Sequence, residues 1–227
     1  MASSLSVPSP TALHFSFLAC TGASVHSGLL FSASSRAQLD VIAGITRERG
    51  SGPDVLAMSL GGNDLGYGDI LESLRQGDSA HLLAGLESRM RFVSSELSLV
   101  SSAVTNLAPR QVLVPYYFDL FRDEHGEVDA SCEAAVKLSS SEVSRAERVL
   151  LGGLNDLLSR VGTRAGWSVE TAIPSVFSTH GICSAYSRIR SATESLRLQG
   201  DPQGAFHPTE EANDRIAELL FRRLRTL

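Results

Sequence analysis

The stretch of this chain best suited to chemistry is Ser59–Gly66, in which Asn63 and Asp64 follow a double glycine. The apolar run at 55–58 is short and bounded by glycine and proline, which predicts a buried strand of a parallel sheet. Glycines deliver the next side chain to the carboxyl edge of the sheet, where ligands bind and a carboxamide can donate to a substrate oxygen. The same residues also form ordinary turns, so this stretch alone leaves both interpretations open.

The residues before this stretch predict a strand–helix–strand unit. Leu13–Leu18 alternates apolar and polar residues and then turns at Thr21-Gly22, as a strand and its following loop do. Residues 36–49 place apolar side chains at helical spacing, with Ser35 available as the N-cap and Gly50 as the stop. Such a unit forms a right-handed parallel crossover.

The remainder of the chain continues the alternation of helices and strands. The predicted elements are a helix over 82–107, a strand over 111–115, a helix over 139–164, a strand over 167–173, an irregular segment over 174–203 and a final helix capped by Thr209. With 227 residues and no linker, the sequence predicts one α/β domain over 12–227 after a flexible N-terminus over 1–11.

Two loops allow more than one interpretation. The aromatic segment Tyr116–Phe121 lies beyond the carboxyl end of a predicted strand, so it either packs into the core or forms a wall of an acyl or alcohol pocket. The acidic segment over 123–129 lacks the full ligand spacing of a calcium loop, which favours a solvated turn. Neither loop predicts a metal or a cofactor.

Three segments of the chain, taken in order, resemble the sequence blocks of one enzyme family. Ala19–Ser24, Ser59–Gly66 and Gly204–Thr209 resemble those of the SGNH (GDSL-type) hydrolases, particularly the bacterial lipase and esterase branch. The resemblance spans nearly the whole chain. It implies a flavodoxin-like, three-layer α/β/α fold with a parallel sheet in the order 2-1-3-4-5. It also implies hydrolysis of a small-molecule or lipid ester without a cofactor.

The same resemblance implies roles for individual residues. Gly22 would offer its backbone N–H and Asn63 its carboxamide to the oxyanion, and His207 would act as the general base. The family carries an aspartate three residues before the histidine, where this chain has Gly204. The orienting group is then either the main-chain carbonyl of Gly204, as in the bacterial lipase branch, or the carboxylate of Asp201.

The first block of the family, a central strand ending in Gly-Asp-Ser that carries the nucleophile, is missing from this sequence. Ala19–Ser24 matches the second block of the family, and we call the loop that begins there the second-block loop. Ser24 and Ser27 lie in this loop, where the family has no nucleophile. The N-terminal serines lack a strand pattern; they are Ser3, Ser4, Ser6 and Ser9. Three explanations stay open. The chain is a truncated esterase, or a separate peptide or partner chain supplies the strand, or it is a non-catalytic binding or scaffold protein in which the strands at Leu13 and Val55 pair directly.

Composition and charge narrow the range of partners. A formal charge of −5 and the lack of a basic block argue against nucleic acid. No run approaches the roughly 20 apolar residues that span a bilayer. No signal peptide is visible in the sequence, whereas the resemblance suggests secretion. Sheet edges left by a missing strand favour self-association or a strand-completing partner.

The three cysteines are Cys20, Cys132 and Cys183. In an exported chain, the resemblance implies that Cys132 pairs with Cys183, because the second-block cysteine of the family bonds to a segment missing here. Cys20 would then be unpaired. The alternative is a set of three buried thiols.

Overall fold

The computed structural model describes residues 13–33, 35–66, 79–129, 144 and 147–225. Their sheet is parallel, with three strands in the order β1-β2-β3. The strands are β1 (Val55–Ala57), β2 (Gln111–Pro115) and β3 (Ser168–Glu170). This arrangement confirms the predicted α/β fold with a parallel sheet, and β2 has the predicted bounds. Its three central residues are buried, as expected for a strand with a neighbour on each side.

Five α-helices connect and flank these strands within the described residues. They are α1 (Gln38–Arg49), α2 (Ser79–Leu107), α3 (Gly153–Ala165), α4 (Ala192–Gln199) and α5 (Glu210–Arg225). A π-helical turn (Glu147–Gly152) precedes α3, and short 3₁₀ turns occupy Ile173–Val176 and Pro202–Gly204. The core lies where α2 and α3 pack on each other and on the sheet.

The ends of the helices follow the sequence signals in most places. Gly50 adopts a left-handed φ of 70° and ends α1, as predicted. Thr209 caps α5, since its Oγ1 accepts the N–H of Ala212 at 3.3 Å. The prediction that Ser35 caps α1 is wrong, because the N-cap residue of α1 is Ala37. The N–H of Ser35 donates to Oγ of Ser32 instead.

The predicted strand at Leu13–Leu18 is absent. This segment forms no β-pairing, and the side chains of Leu13, Phe15 and Phe17 are 91%, 80% and 75% exposed. A strand needs a neighbour for its backbone N–H and C=O groups, and the described residues provide none here. The alternating pattern is present without the partner that would make it a strand.

Two further predictions of secondary structure require correction. The strand predicted over 167–173 is shorter, because Pro174 lies at the start of a 3₁₀ turn. The segment predicted to be irregular over 174–203 contains α4, whose N-cap Ser191 accepts the N–H of Glu194 at 3.1 Å. The helix predicted over 139–164 is present as the π-helical turn and α3, and most of its beginning lies outside the described residues.

The aromatic segment at 116–121 packs against and into the core. Leu120 and Phe121 are buried. Phe118 stacks on the buried ring of Phe177 with a centroid distance of 3.7 Å. The core-packing interpretation is therefore correct for this segment.

The described cysteines differ in state. Cys183 is disulfide-bonded, and Cys20 is an exposed free thiol. Cys132 lies outside the described residues. The alternative of three buried thiols is therefore wrong, whereas the predicted free state of Cys20 is correct.

The acidic loop is a turn stabilised by its own backbone. Asp123 accepts the N–H groups of His125 and Glu127 at 2.8 and 2.9 Å. These backbone hydrogen bonds hold the pKa of Asp123 below its usual value, with the bond from Glu127 the largest contribution. Among the described residues, no cluster of three or more His, Cys, Asp or Glu side chains could hold a metal ion. None of the described helices has both the length and the hydropathy to cross a bilayer.

A group of charged side chains beside this loop makes stability depend on pH. Arg122 binds Asp119 and also donates to Glu147 at 2.9 Å. Burial, followed by the hydrogen bond and charge of Asp119, raises the pKa of Glu147 from 4.5 to about 9 against the opposing charge of Arg122. Between these two values the folded chain holds a proton that the unfolded chain releases, so stability falls as pH rises through this window.

We expect Glu147→Gln to flatten this decline, because glutamine keeps the shape of the protonated carboxyl without a proton to lose. Urea unfolding at a series of pH values from about 5 to about 9, inside this window, measures the slope. The matched control is Glu48→Gln, at an exposed position of α1, and it should keep the slope of the unaltered protein. Equal slopes for Glu147→Gln and the unaltered protein would contradict the assignment.

Candidate active site

The segments that carry Gly22 and Asn63 are in direct contact. The amide Nδ2 of Asn63 donates to the main-chain oxygen of Ala23, the residue after Gly22, at 2.7 Å. Gly61 and Gly62 are buried, whereas Asn63 is exposed. The double glycine therefore carries the chain out of the core and presents a carboxamide at the surface beside the second-block loop.

Two glycines in these segments are required by geometry. Gly61 has a φ of 96°, and a Cβ there would lie 2.8 Å from Leu154 on α3. Gly22 has a φ of 71° and nothing within 4 Å of a Cβ position. The left-handed backbone therefore favours glycine at 22, and the open space in front of it leaves room for a ligand to approach the backbone.

Asp64 holds the second-block loop in place through hydrogen bonds to its backbone. Its two carboxylate oxygens each accept the N–H of Val25 at 2.9 Å, and Oδ1 also lies 3.4 Å from the N–H of His26. Hydrogen bonds to an ionised carboxylate are about twice as strong as neutral ones. Asp64 follows Asn63 directly, so one short turn both presents the amide and holds the loop beside it. The only sign of this role in the sequence is the position of Asp64 directly after Asn63.

His26 provides a second attachment for the loop. Its Nδ1 lies 2.9 Å from Oε2 of Glu96 on α2, and the Glu96 side chain is buried. The imidazole also packs between Phe31 and Phe92, with ring centroids 5.0 and 5.9 Å away. The loop that carries Gly22 is thus tied to the body of the domain on two sides.

His207 is exposed and oriented by a main-chain carbonyl. Its Nδ1 lies 3.0 Å from the oxygen of Ala205. The intervening Phe206 has a φ of 64°, which is uncommon for a residue other than glycine. The N–H of Arg190 donates to the oxygen of His207 at 2.9 Å, and the N–H of Phe206 donates to Arg190 at 2.8 Å. This pairing holds the turn. Because the contact with Ala205 uses Nδ1, Nε2 is the ring nitrogen that has no hydrogen bond within the described residues.

Neither predicted orienting group makes the contact assigned to it. The carboxylate of Asp201 accepts Nε2 of Gln199 at 2.9 Å and the N–H of Gln203 at 2.8 Å. These bonds, the first more than the second, lower the pKa of Asp201. The oxygen of Gly204 accepts the backbone N–H of His207 at 3.4 Å rather than its ring. A main-chain carbonyl orients the imidazole, but it belongs to Ala205 because the chain turns at the left-handed residue after it.

The segment of His207 is joined by hydrogen bonds, through Arg188, to the 3₁₀ turn that follows β3 in the chain. The Arg188 guanidinium donates at 2.9 Å to the oxygen of Val176, in the turn directly after β3. The N–H of Thr209 donates to the oxygen of Arg188, also at 2.9 Å. Asn63 follows the carboxyl end of β1. Because the strands are parallel, the carboxyl ends of β1 and β3 belong to the same edge of the sheet, where α/β proteins bind ligands.

The described serines of the second-block loop bind each other. Oγ of Ser24 accepts the N–H of Ser27 at 2.8 Å and lies 3.4 Å from its oxygen. In the described part of the chain, the imidazole of His207 makes no hydrogen bond to a serine or threonine hydroxyl. The serines at 3, 4, 6 and 9 lie outside the described residues.

The chain is similar in sequence and in fold to known proteins. No protein-family model matches the chain. A lipase from Streptomyces rimosus is 26% identical over 207 residues, which cover 88% of this chain and 66% of that lipase. The chain thus spans about two thirds of the length of this curated relative.

Two solved structures share the fold. The extracellular lipase from Streptomyces rimosus has a TM-score of 0.66 at 23% identity, covering 96% of this chain and 82% of that one. Phospholipase A1 from Streptomyces albidoflavus NA297 has a TM-score of 0.60 at 20% identity, covering 91% and 79%. These two likenesses confirm the predicted α/β fold, and the sequence similarity to the lipase agrees with the predicted resemblance to bacterial lipases and esterases.

Proposed function

We propose that this chain acts as a carboxylic ester hydrolase of the SGNH type on a small-molecule or lipid ester. The observation that carries the proposal is the 2.7 Å contact between the Asn63 amide and the oxygen of Ala23. It brings one candidate donor beside the residue that follows the other, Gly22. The hydrogen bonds that join the segment of His207 to the turn after β3 support the same proposal. The lipase named among the similar proteins supports the same reaction class.

Each group would have a defined task in the reaction. A hydroxyl nucleophile attacks the ester carbonyl, and Nε2 of His207 takes the hydroxyl proton and passes it to the leaving alkoxide. Water then hydrolyses the acyl intermediate with the same base. The amide of Asn63 has two hydrogens, so one can bind Ala23 while the other, with the N–H of Gly22, stabilises the oxyanion.

The carbonyl of Ala205 would fix the tautomer of the base. It accepts the hydrogen on Nδ1, which leaves the lone pair on Nε2 for proton transfer. A carbonyl carries no full charge, so it stabilises the imidazolium less than a carboxylate would. In this proposal, orientation rather than charge is the main contribution of this contact.

A covalent serine probe, a fluorophosphonate, tests the function and identifies the nucleophile by peptide mapping. We expect one labelled serine and turnover of p-nitrophenyl esters that is lost with the labelling. Without a label, and with turnover unchanged in His207→Ala, the chain would instead be the binding or scaffold protein of the second interpretation. This second function is supported by one observation: within the described residues, the imidazole of His207 makes no hydrogen bond to a serine or threonine hydroxyl.

We further propose that an added strand completes the sheet beside β1. Supporting this, β1 is an edge strand among the described residues, and its Val55 is 42% exposed. The apolar side chains of Leu13, Phe15 and Phe17 are also uncovered. The resemblance assigns a strand ending in Gly-Asp-Ser to the position between these two segments.

A synthetic strand peptide tests this completion. We expect an apolar peptide ending in Gly-Asp-Ser to raise ester turnover when it is added to the protein, because it supplies both the missing pairing and the hydroxyl. The matched peptide ending in Gly-Asp-Ala should bind without raising turnover. Unchanged turnover together with a probe-labelled serine in the chain itself would contradict the proposal. Elution of the chain as a dimer would indicate a second copy as the strand donor.

A further inference from the structure

Tyr117 is a partly buried phenol that contacts the double glycine. Its Oη accepts the N–H of Gly62 at 3.0 Å and the hydroxyl of Ser59 at 3.3 Å. Burial raises the pKa of Tyr117 above its ordinary value, against the opposing effect of these two hydrogen bonds. The phenol is therefore neutral at physiological pH and meets the chain one residue before Asn63.

The ring of Tyr117 also fits closely against the backbone of Gly62. A Cβ at Gly62 would lie 2.7, 2.8 and 2.9 Å from Cε1, Oη and Cζ of the ring. Cβ atoms do not approach other atoms this closely, so only glycine allows the ring and the turn to lie as they do. The phenol holds Gly62 by both a hydrogen bond and shape.

The backbone of Tyr117 is itself fixed by α3. Its N–H donates to Oδ1 of Asn155 at 2.9 Å, and Nδ2 of Asn155 donates to its oxygen at 2.9 Å. This reciprocal pair fixes Tyr117, which lies just beyond the end of β2, to a helix of the core. A continuous series of contacts thus leads from α3 through Tyr117 to the residue before Asn63.

We infer that Tyr117 is a positioning residue that sets where the carboxamide of Asn63 lies. The inference rests on the proposed function, in which Asn63 donates to the oxyanion. Such a donor must lie about 2.7–3.1 Å from the developing charge, and a misplacement of about 1 Å costs about 10²-fold in rate. Tyr117 contacts no reacting atom and acts only through Gly62.

Tyr117→Phe tests the inference because it removes one oxygen and keeps the ring that packs on Gly62. We expect kcat to fall by about 10–10²-fold with KM within about twofold, since the donor serves the transition state more than the bound ester. Backbone amide exchange followed by NMR should become faster at Gly62. The matched control is Tyr116→Phe, whose hydroxyl binds Ser159 on α3; it should leave kcat and the exchange of Gly62 unchanged.

The exchange measurement separates this inference from the proposed function. If the unaltered protein hydrolyses no ester, the proposed function fails. The positioning of Asn63 by Tyr117 can still hold in that case, and it does so only if Tyr117→Phe changes both the amide exchange of Gly62 and the side-chain amide signals of Asn63. In an active enzyme, faster Gly62 exchange with unchanged kcat would make Tyr117 a purely structural residue and overturn the inference. Unchanged exchange and unchanged kcat would overturn it equally.

Discussion

Replacing His207 by alanine should lower kcat for ester hydrolysis by about 10²–10⁴-fold, the usual contribution of a positioned general base. The reason is geometric: the contact of Nδ1 with Ala205 at 3.0 Å leaves Nε2 as the free proton acceptor. KM should change little, because the imidazole takes part in proton transfer in the transition state and does not bind the ester in the ground state. Steady-state kinetics with p-nitrophenyl esters measures the effect, and labelling by the serine probe should slow in parallel.

His180 offers a matched control for this prediction. Its Nδ1 also lies 2.9 Å from a main-chain oxygen, that of Tyr186. His180→Ala therefore removes a histidine of the same kind and should leave kcat unchanged. An equal loss of turnover in the two variants would point to damage in the fold around α4 and α5 and would contradict a specific role for His207.

Replacing Asn63 by alanine should lower kcat by about 10²–10³-fold, as expected for the loss of one oxyanion donor. The second-block loop should keep its place, because Asp64 binds the N–H of Val25 with both carboxylate oxygens at 2.9 Å. Asn63→Asp should lose at least as much, since a carboxylate cannot donate and would repel the developing charge. The kcat values, together with the unfolding midpoint of each variant, test this.

The control for Asn63 is Asn106, an exposed asparagine near the end of α2. Asn106→Ala should retain full turnover. If Asn63→Ala keeps kcat within about twofold of the unaltered protein, the carboxamide is not an oxyanion donor, and the 2.7 Å contact with Ala23 serves only to hold the loop. A drop in kcat accompanied by a large fall in the unfolding midpoint would assign the effect to stability instead.

Local signals were sufficient to predict the elements whose partners are all present in the described chain. The strand at Gln111–Pro115 has its predicted bounds, because its apolar run fills the middle of the sheet. The stop at Gly50 was predictable because a left-handed residue at the end of a helix favours glycine. In both cases the residue types themselves limit the backbone conformation.

Elements that depend on a distant partner were predicted less well. Leu13–Leu18 has the alternation of a strand, but a strand forms only where another strand satisfies its backbone groups. The segment of α4 carries few apolar residues, and two of them, Leu196 and Leu198, are more than half exposed. Its cap at Ser191 was a stronger signal than its periodicity.

The sequence by itself determined the chemical groups of this protein: a glycine that leaves its backbone open, an asparagine after a buried double glycine, and a histidine before the last helix. It also determined the alternation of helices and strands that leads to a parallel sheet. Only the tertiary structure decided which atoms meet. The contacts of Asn63 with Ala23, of Asp64 with Val25 and of His207 with Ala205 depend on loop conformation and on chain segments far apart in sequence. Hydrogen bonds of this kind are fixed by distances of a few ångströms in three dimensions, and residue order alone does not specify those distances.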